Sequence, residues 1–285
     1  MTYNELWRSL THAYDAGEAK AIVRYVLEVR FGMSVADVYS DKVTHLAADD
    51  SRELHEIMRR LGNSEPVQYV LGSACFDGRS YGVKPGVLIP RPETEELCAW
   101  LRESAAPGAH ILDIGTGSGC IAITAALDVE GAAVEAWDLY DVALDVARDN
   151  AGKLGAKVHF VKQDALNPPH ETSCRDIIVS NPPYVCMHEK TAMERNVLDY
   201  EPHSALFVPD DDPLIFYRSI ARYAANALRR GGMLLYEINP LYHAELTAML
   251  RDTGFGCVES RNDCFGKTRF VRATKQDTAC LAWKG

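Results

Sequence analysis

The stretch "ILDIGTGSGCIAI", Ile111–Ile123, decides how this chain is read. Apolar residues lead through Asp113, glycines follow at Gly115, Gly117 and Gly119, and a second apolar run opens at Cys120. The order is strand, tight turn, helix. Glycine lets the backbone turn sharply and approach a ligand closely, and the helix start offers N–H groups without intrahelical partners. A structural turn would explain the glycines alone, so the spacing has to discriminate. A dinucleotide fingerprint G-x-G-x-x-G from Gly115 needs glycine at position 120, which is Cys120.

Working outward, the same strand-and-helix alternation continues. "AAVEAWDL", "KVHFVKQD", "RDIIVSNPP" and "GMLLYEI" read as strands, with helices at 141–154, about 212–229 and about 241–252. Late strands are predicted near 256–261 and 267–273. Short apolar strands alternating with helices mean a mostly parallel sheet covered on both faces. Such sheets bind ligands at the carboxyl ends of their strands, beside the switch in strand order. Asp138 ends the second strand and Asp164, followed by Ala165, ends the third. One strand-end aspartate is commonly a cap or a solvated turn residue. Three acids at successive strand ends, with Asp113 beside the glycine loop, point to a bound ligand, and an Asp138 carboxylate can take both hydroxyls of a ribose.

The fourth strand runs into Asn181-Pro182-Pro183-Tyr184. Two prolines remove two backbone donors and fix φ, so neither strand nor helix continues. A rigid strand exit is one reading. The other is a platform for a planar NH₂ group. The lone pair of such a nitrogen is delocalised, so base catalysis helps it little. Acceptors on both N–H hydrogens would hold it in line with an electrophile: the Asn181 side chain and the Pro182 carbonyl supply them. Tyr184 is expected to pack on the planar group, its π face tolerating a nearby cation.

Before residue 65 the chain is helical, with Ile22, Val23, Val26, Leu27 and Phe31 at one helical spacing and Leu54, Ile57, Met58 and Leu61 at another; Ser34 and Ser51 are read as N-caps. Residues 65–92 form a Gly- and Pro-rich connector in which Asp77-Gly78 signals a hairpin. The net charge of −10 argues against a protein that tracks phosphate backbones by overall charge. No apolar run is long enough to span a bilayer, and the first twenty residues contain no signal-peptide core. The eight cysteines include no C-x-x-C pair and sit mostly in apolar surroundings, so a zinc site is not expected and the thiols are read as reduced and packed, as in the cytoplasm.

Taken in order, "EPVQYVLG", "GVLIPRPETEEL", "ILDIGTGSGCIAI", "IIVSNPPYV" and "EPHSALF" after a helical N-terminus resemble the protein-(glutamine-N5) methyltransferases, the PrmC or HemK family. The resemblance covers nearly the whole chain. It implies a class I S-adenosylmethionine-dependent methyltransferase: α/β and Rossmann-like, with a mostly parallel seven-stranded sheet and a small N-terminal helical domain. The implied limits are 1–64 for the helical substrate-docking domain, 65–92 for the hairpin connector, 93–275 for the catalytic domain and 276–285 for a tail. The implied activity is methylation of the Gly-Gly-Gln glutamine of peptide chain release factors. By resemblance, Asp113, Gly115, Thr116, Gly117, Ser118, Gly119, Asp138, Asp164, Ala165 and Asn181 hold S-adenosylmethionine. Asn181, Pro182, Pro183 and Tyr184 hold the glutamine, with Asn181, Pro182 and Tyr184 carrying the transfer. Arg91 and Glu93 are implied at the region between the domains. No membrane or direct nucleic-acid partner is expected.

Two stretches depart from the family pattern. "VPDDDPL" stands where many members carry a glycine-rich G-G-x-D-G-L, and "YEINPLYH" stands where a strand usually ends E-I-G before a glutamine. Other readings stay open at this stage: a ribosomal-protein glutamine methyltransferase, a nucleic-acid base methyltransferase using a similar platform, or a silent S-adenosylmethionine binder. A nicotinamide dehydrogenase fits worst, because of Cys120.

Overall fold

The structure, a computed structural model, describes residues 1–276; the rest of the predicted tail lies outside them. The described chain divides into two units, Met1–Ser73 with Met193–Glu201, and Ala74–Ala192 with the chain from Pro202 onward. The first unit therefore draws in a segment from the middle of the chain.

The first unit is helical: α1 (Tyr3–Ser9), α2 (Ala16–Phe31), α3 (Val35–Tyr39), α4 (Ala48–Gly62) and α5 (Val67–Leu71). Side chains of Thr2, Asp15 and Ser34 cap the first three by accepting backbone N–H bonds, and Gly32 closes α2 at φ 63°. Ser51 is not the cap predicted for it. The helix begins at Ala48, and Asp49 and Asp50 in its first turn place negative charge against the N-terminal dipole instead. Leu6, Val23, Leu27, Leu54 and Leu61 fill the core.

The second unit opens with a hairpin of β1 (Ser73–Phe76) and β2 (Arg79–Gly82). Its turn residues Asp77 and Gly78 both take positive φ, 48° and 71°, the geometry that matches strand twist. Pro92 then starts α6 (Pro92–Ser104), whose Glu95 accepts from the Asp77 N–H at 2.9 Å. The main sheet follows: β3 (His110–Ile114), α7 (Cys120–Asp128), β4 (Ala133–Asp138), α8 (Asp141–Leu154), β5 (Val158–Lys162) and β6 (Arg175–Ser180). A short parallel pair joins β7 (Val185–Cys186) and β8 (Phe207–Val208). Between them lie α9 (Arg195–Tyr200), which belongs to the first unit, and α10 (His203–Leu206). The chain closes with α11 (Ile215–Ala227), β9 (Leu228–Glu237), α12 (His243–Asp252), β10 (Phe255–Asn262) and β11 (Thr268–Lys275).

The seven strands order as β10-β11-β9-β6-β3-β4-β5, with β11 antiparallel to both neighbours and the rest parallel. Alternation along each strand feeds two cores. Ile111, Ala136, Ile177, Val179 and Leu235 face α6 and α7; Leu112, Ile114, Trp137, Ile178 and Leu234 face α11 and α12. Both faces are buried, which is why these strands read as continuous apolar runs. The chain winds one way from β3 to β4 and β5, then crosses back to β6 and β9. The crevice of this reversal lies between β3 and β6, at the carboxyl ends that carry Asp113 and Asn181.

The predicted packed thiols are only partly found. Cys98, Cys120 and Cys186 are buried, but Cys75, Cys257 and Cys264 are exposed, and all described cysteines are free. Cys75 and Cys257 lie in a two-stranded hairpin and an edge strand, where one face meets solvent. Among the described residues no helix is long and apolar enough to cross a membrane.

Candidate active site

A cleft runs along the carboxyl ends of β3, β4, β5 and β6. Of the residues singled out in the sequence, Gly115, Thr116, Gly117, Ser118, Asp138, Asp164, Ala165, Asn181, Pro182 and Pro183 line it. Asp113, Gly119 and Tyr184 do not line it.

The glycine loop is built onto the end of β4. The N–H groups of Gly115 and Thr116 both donate to the Trp137 carbonyl at 2.9 Å, and that of Gly117 donates to Asp138 Oδ2 at 2.9 Å. All three glycines have positive φ. At Gly119 there is a second constraint: a Cβ would meet Ile123 Cδ1 at 2.9 Å and Ala147 Cβ at 3.1 Å, so this glycine serves helix packing. At Gly115 and Gly117 a Cβ would stand in open space, where a ligand can approach. These loop N–H groups are already bonded within the protein, so the loop is no cradle for a pyrophosphate. Asp138 and Asp164 put two carboxylates on the cleft wall instead, which suits a ligand with hydroxyls or positive charge.

Asp113 is fully buried and accepts from the Thr116 hydroxyl at 2.7 Å, while its Oδ1 has no partner. Burial pushes its carboxyl up to about 7, against the pull of Thr116. It shapes the loop from behind. Asp138 also has its proton affinity raised by burial, opposed by the N–H groups of Tyr140 and Gly117. Asp164 is held by the Leu166 N–H at 2.8 Å and by Asn167 Nδ2 at 2.6 Å.

The Asn-Pro-Pro-Tyr platform is clamped at both ends. The Ser180 hydroxyl donates to the Ile114 carbonyl at 2.6 Å, tying β6 to β3 just before Asn181. Asn239 Nδ2 donates to the Tyr184 carbonyl at 3.1 Å. Asn239 belongs to the departing "YEINP" stretch, whose structural work is thus to brace this loop. Asp210 of "VPDDDPL" accepts from the His188 backbone N–H, and Asp212 pairs with Arg218. Asn181 Nδ2 donates to Thr94 Oγ1 at 3.2 Å. The Tyr184 ring packs into the α11 core and its hydroxyl donates to Glu237 Oε1 at 3.0 Å. The phenol's proton is held far more tightly than usual by burial and by the neighbouring Glu237.

Sequence reasoning missed several wall residues. Leu88, Ile89 and Pro90 close one side, from the run before α6, and Phe216 and Ile220 another. Arg91, expected at a domain boundary, is on this wall, and Glu93 is not. Thr94 and Glu237 also escaped notice. Their signals were a small hydroxyl inside "IPRPETE" and one acid ending the apolar run "MLLYE".

A seven-stranded sheet with this reversal, its glycine loop and an Asn-Pro-Pro platform in one cleft define a methyltransferase of the class I architecture. Residues 94–200 match the Methyltransferase small domain, and residues 5–72 match the PrmC N-terminal domain. Among solved structures, a methyltransferase from Pyrococcus furiosus shares the fold at 18% identity and TM-score 0.54, over 71% of this chain and 92% of that one. A Thermus thermophilus 16S rRNA N2 G1207 methyltransferase shares it at 21% identity and TM-score 0.53, over 72% and 50%. The release factor glutamine methyltransferase of Bacteroides thetaiotaomicron is 45% identical over 269 residues, 94% of this chain and 97% of its own. That of Flavobacterium psychrophilum is 36% identical over 270 residues, 93% and 95%. This chain belongs to the release factor glutamine methyltransferase family.

Proposed function

We propose that the protein methylates the side-chain amide nitrogen of a glutamine in peptide chain release factors, the one in their Gly-Gly-Gln motif, using S-adenosylmethionine. The observation that carries this reading is Asn181-Pro182-Pro183 on the wall of the cleft that the glycine loop also lines.

The residues present fit S-adenosylmethionine. Open space faces Gly115 and Gly117, the loop N–H groups demand no phosphate, and Asp138 and Asp164 put carboxylates on the cleft wall where hydroxyls or a positive charge can meet them. Asp138 would take the ribose hydroxyls, and Asp164 with the backbone of Ala165 the adenine edge. When bound, this group supplies a methyl on a positively charged sulfur. The protein's own work is positioning. The Asn181 side-chain carbonyl and the Pro182 backbone carbonyl accept the two N–H hydrogens of the glutamine amide. These dipoles also favour the positive charge that grows on nitrogen as the new N–C bond forms. The spare proton then passes to water, and no general base is required. Tyr184 acts from behind the platform rather than by stacking in the cleft.

Release factors work at the ribosome, so the reaction is assigned to the cytoplasm. The net charge of −10 supports a protein substrate over a nucleic acid. The test is mass spectrometry of a release factor after incubation with the protein and S-adenosylmethionine. One methyl on the Gly-Gly-Gln glutamine is expected, and none with Asn181→Ala, which should still bind S-adenosylmethionine. Transfer instead to a ribosomal protein or to nucleic acid would overturn the substrate assignment. Loss of binding and transfer together in Asn181→Ala would make Asn181 a structural residue.

A further inference from the structure

Thr94 stands in the third position of α6, and Glu237 is the last residue of β9; both are buried, at 2% and 1% exposure. The Thr94 hydroxyl lies 2.7 Å from Glu237 Oε2, and the Tyr184 hydroxyl lies 3.0 Å from Oε1. Each carboxyl oxygen thus meets one hydroxyl donor, the arrangement of an ionised carboxylate. A threonine hydroxyl has a single hydrogen. Given to Glu237, it leaves the Thr94 oxygen able only to accept. The end of the Asn181 carboxamide that faces Thr94 at 3.2 Å is therefore its NH₂.

We propose that Thr94 is a positioning residue which, polarised by Glu237, turns the carbonyl end of Asn181 toward the cleft and so selects an NH₂ group over a carboxylate there. This rests on the reading of Asn181 as an acceptor for the glutamine amide. A carboxamide is nearly symmetric in shape, so packing alone cannot choose its orientation; only a partner of fixed polarity can. Were Asn181 flipped, its oxygen would face the lone pairs of Thr94, and its N–H groups would oppose those of the incoming amide. Burying a carboxylate beneath a catalytic platform is costly to folding, and burial does raise its proton affinity. Thr94, Tyr184 and the nearby Arg269 counter that rise. Strand β9 thus carries an expensive acid at the one place where polarity has to be transmitted to Asn181.

The experiment compares wild type, Thr94→Val, Thr94→Ala and Thr94→Ser for methyl transfer to a release factor. S-adenosylmethionine affinity is measured by calorimetry and folding by thermal denaturation. Expected is a fall in kcat of roughly tenfold to a hundredfold in Thr94→Val, the scale of losing one oriented polar group at a reacting centre. S-adenosylmethionine affinity should stay within about threefold, and Thr94→Ser, which keeps the hydroxyl, should recover kcat to about the same margin. If Thr94→Val is too unstable to assay, Thr94→Ala removes the same hydroxyl without adding bulk and decides alone. A full kcat in folded Thr94→Val or Thr94→Ala, or a Thr94→Ser no better than either, overturns the proposal. Wild type that methylates no amide would instead sink the reading of Asn181 itself. Active wild type, dead Asn181→Ala and fully active Thr94→Val would sink the Thr94 role alone.

Discussion

Asn150 and Gly82, far apart in the chain, pair like neighbours in a sheet. The Gly82 N–H donates to Asn150 Oδ1 at 2.7 Å, and Asn150 Nδ2 donates back to the Gly82 carbonyl at 3.0 Å. The same nitrogen donates to the Ser118 carbonyl at 2.9 Å. One buried carboxamide on α8 thereby joins the end of β2 to the glycine loop.

Asn150→Asp is nearly isosteric but has no hydrogens to give. The carbonyls of Gly82 and Ser118 would face a buried anion. The expected cost is about 2–4 kcal/mol of stability, with weaker S-adenosylmethionine binding because Ser118 loses its anchor. Denaturant titration and calorimetry measure both. An unchanged midpoint would mean that the three bonds do not constrain the native state.

Gly117 and Gly119 separate two uses of glycine. Gly119→Ala meets Ile123 and Ala147 as well as an unfavourable positive φ, and should lose about 1–3 kcal/mol. Gly117→Ala carries the φ strain alone, about 1 kcal/mol, and its methyl projects into open space on the cleft wall. It should depress cofactor affinity more than stability. Equal effects of the two substitutions on both readouts would contradict this division.

Asp113 gives a pH signature of definite sign. Its ordinary value is 3.8, and burial raises it to about 7 in the folded protein. Between those values the native state keeps a proton that the unfolded chain has released. Stability from this group is therefore complete below pH 4 and declines as pH rises toward 7, levelling off above. Asp113→Asn should flatten that part of the stability curve measured by urea denaturation from pH 4 to 8. A curve parallel to wild type would show that Asp113 is ionised throughout.

The seven strands of the main sheet and its longer helices are legible in the sequence because a sheet covered on both faces writes itself as short apolar runs; the short pair β7 and β8 is not. The glycine loop, Asp138, Asp164 and the Asn-Pro-Pro run were legible for a related reason: each interrupts such a run at its carboxyl end. Ser51 was misread because a serine near a helix start resembles a cap whether or not the helix has already begun. Here it begins at Ala48. Tyr184 was assigned to the cleft because it follows the prolines. A loop's local order does not say which face its ring takes, and the α11 core claims it.

The sequence by itself determined the order of the main-sheet strands, the residue types at their carboxyl ends and the family. These depend on local spacing and on residues that stay close along the chain. The tertiary structure alone decided what lies behind the site: Asn150 against Gly82, Asn239 against Tyr184, and Thr94 between Asn181 and Glu237. Such hydrogen bonds join residues 55 to 143 positions apart. No periodicity reports them, because they exist only once the sheet has set its strand ends side by side.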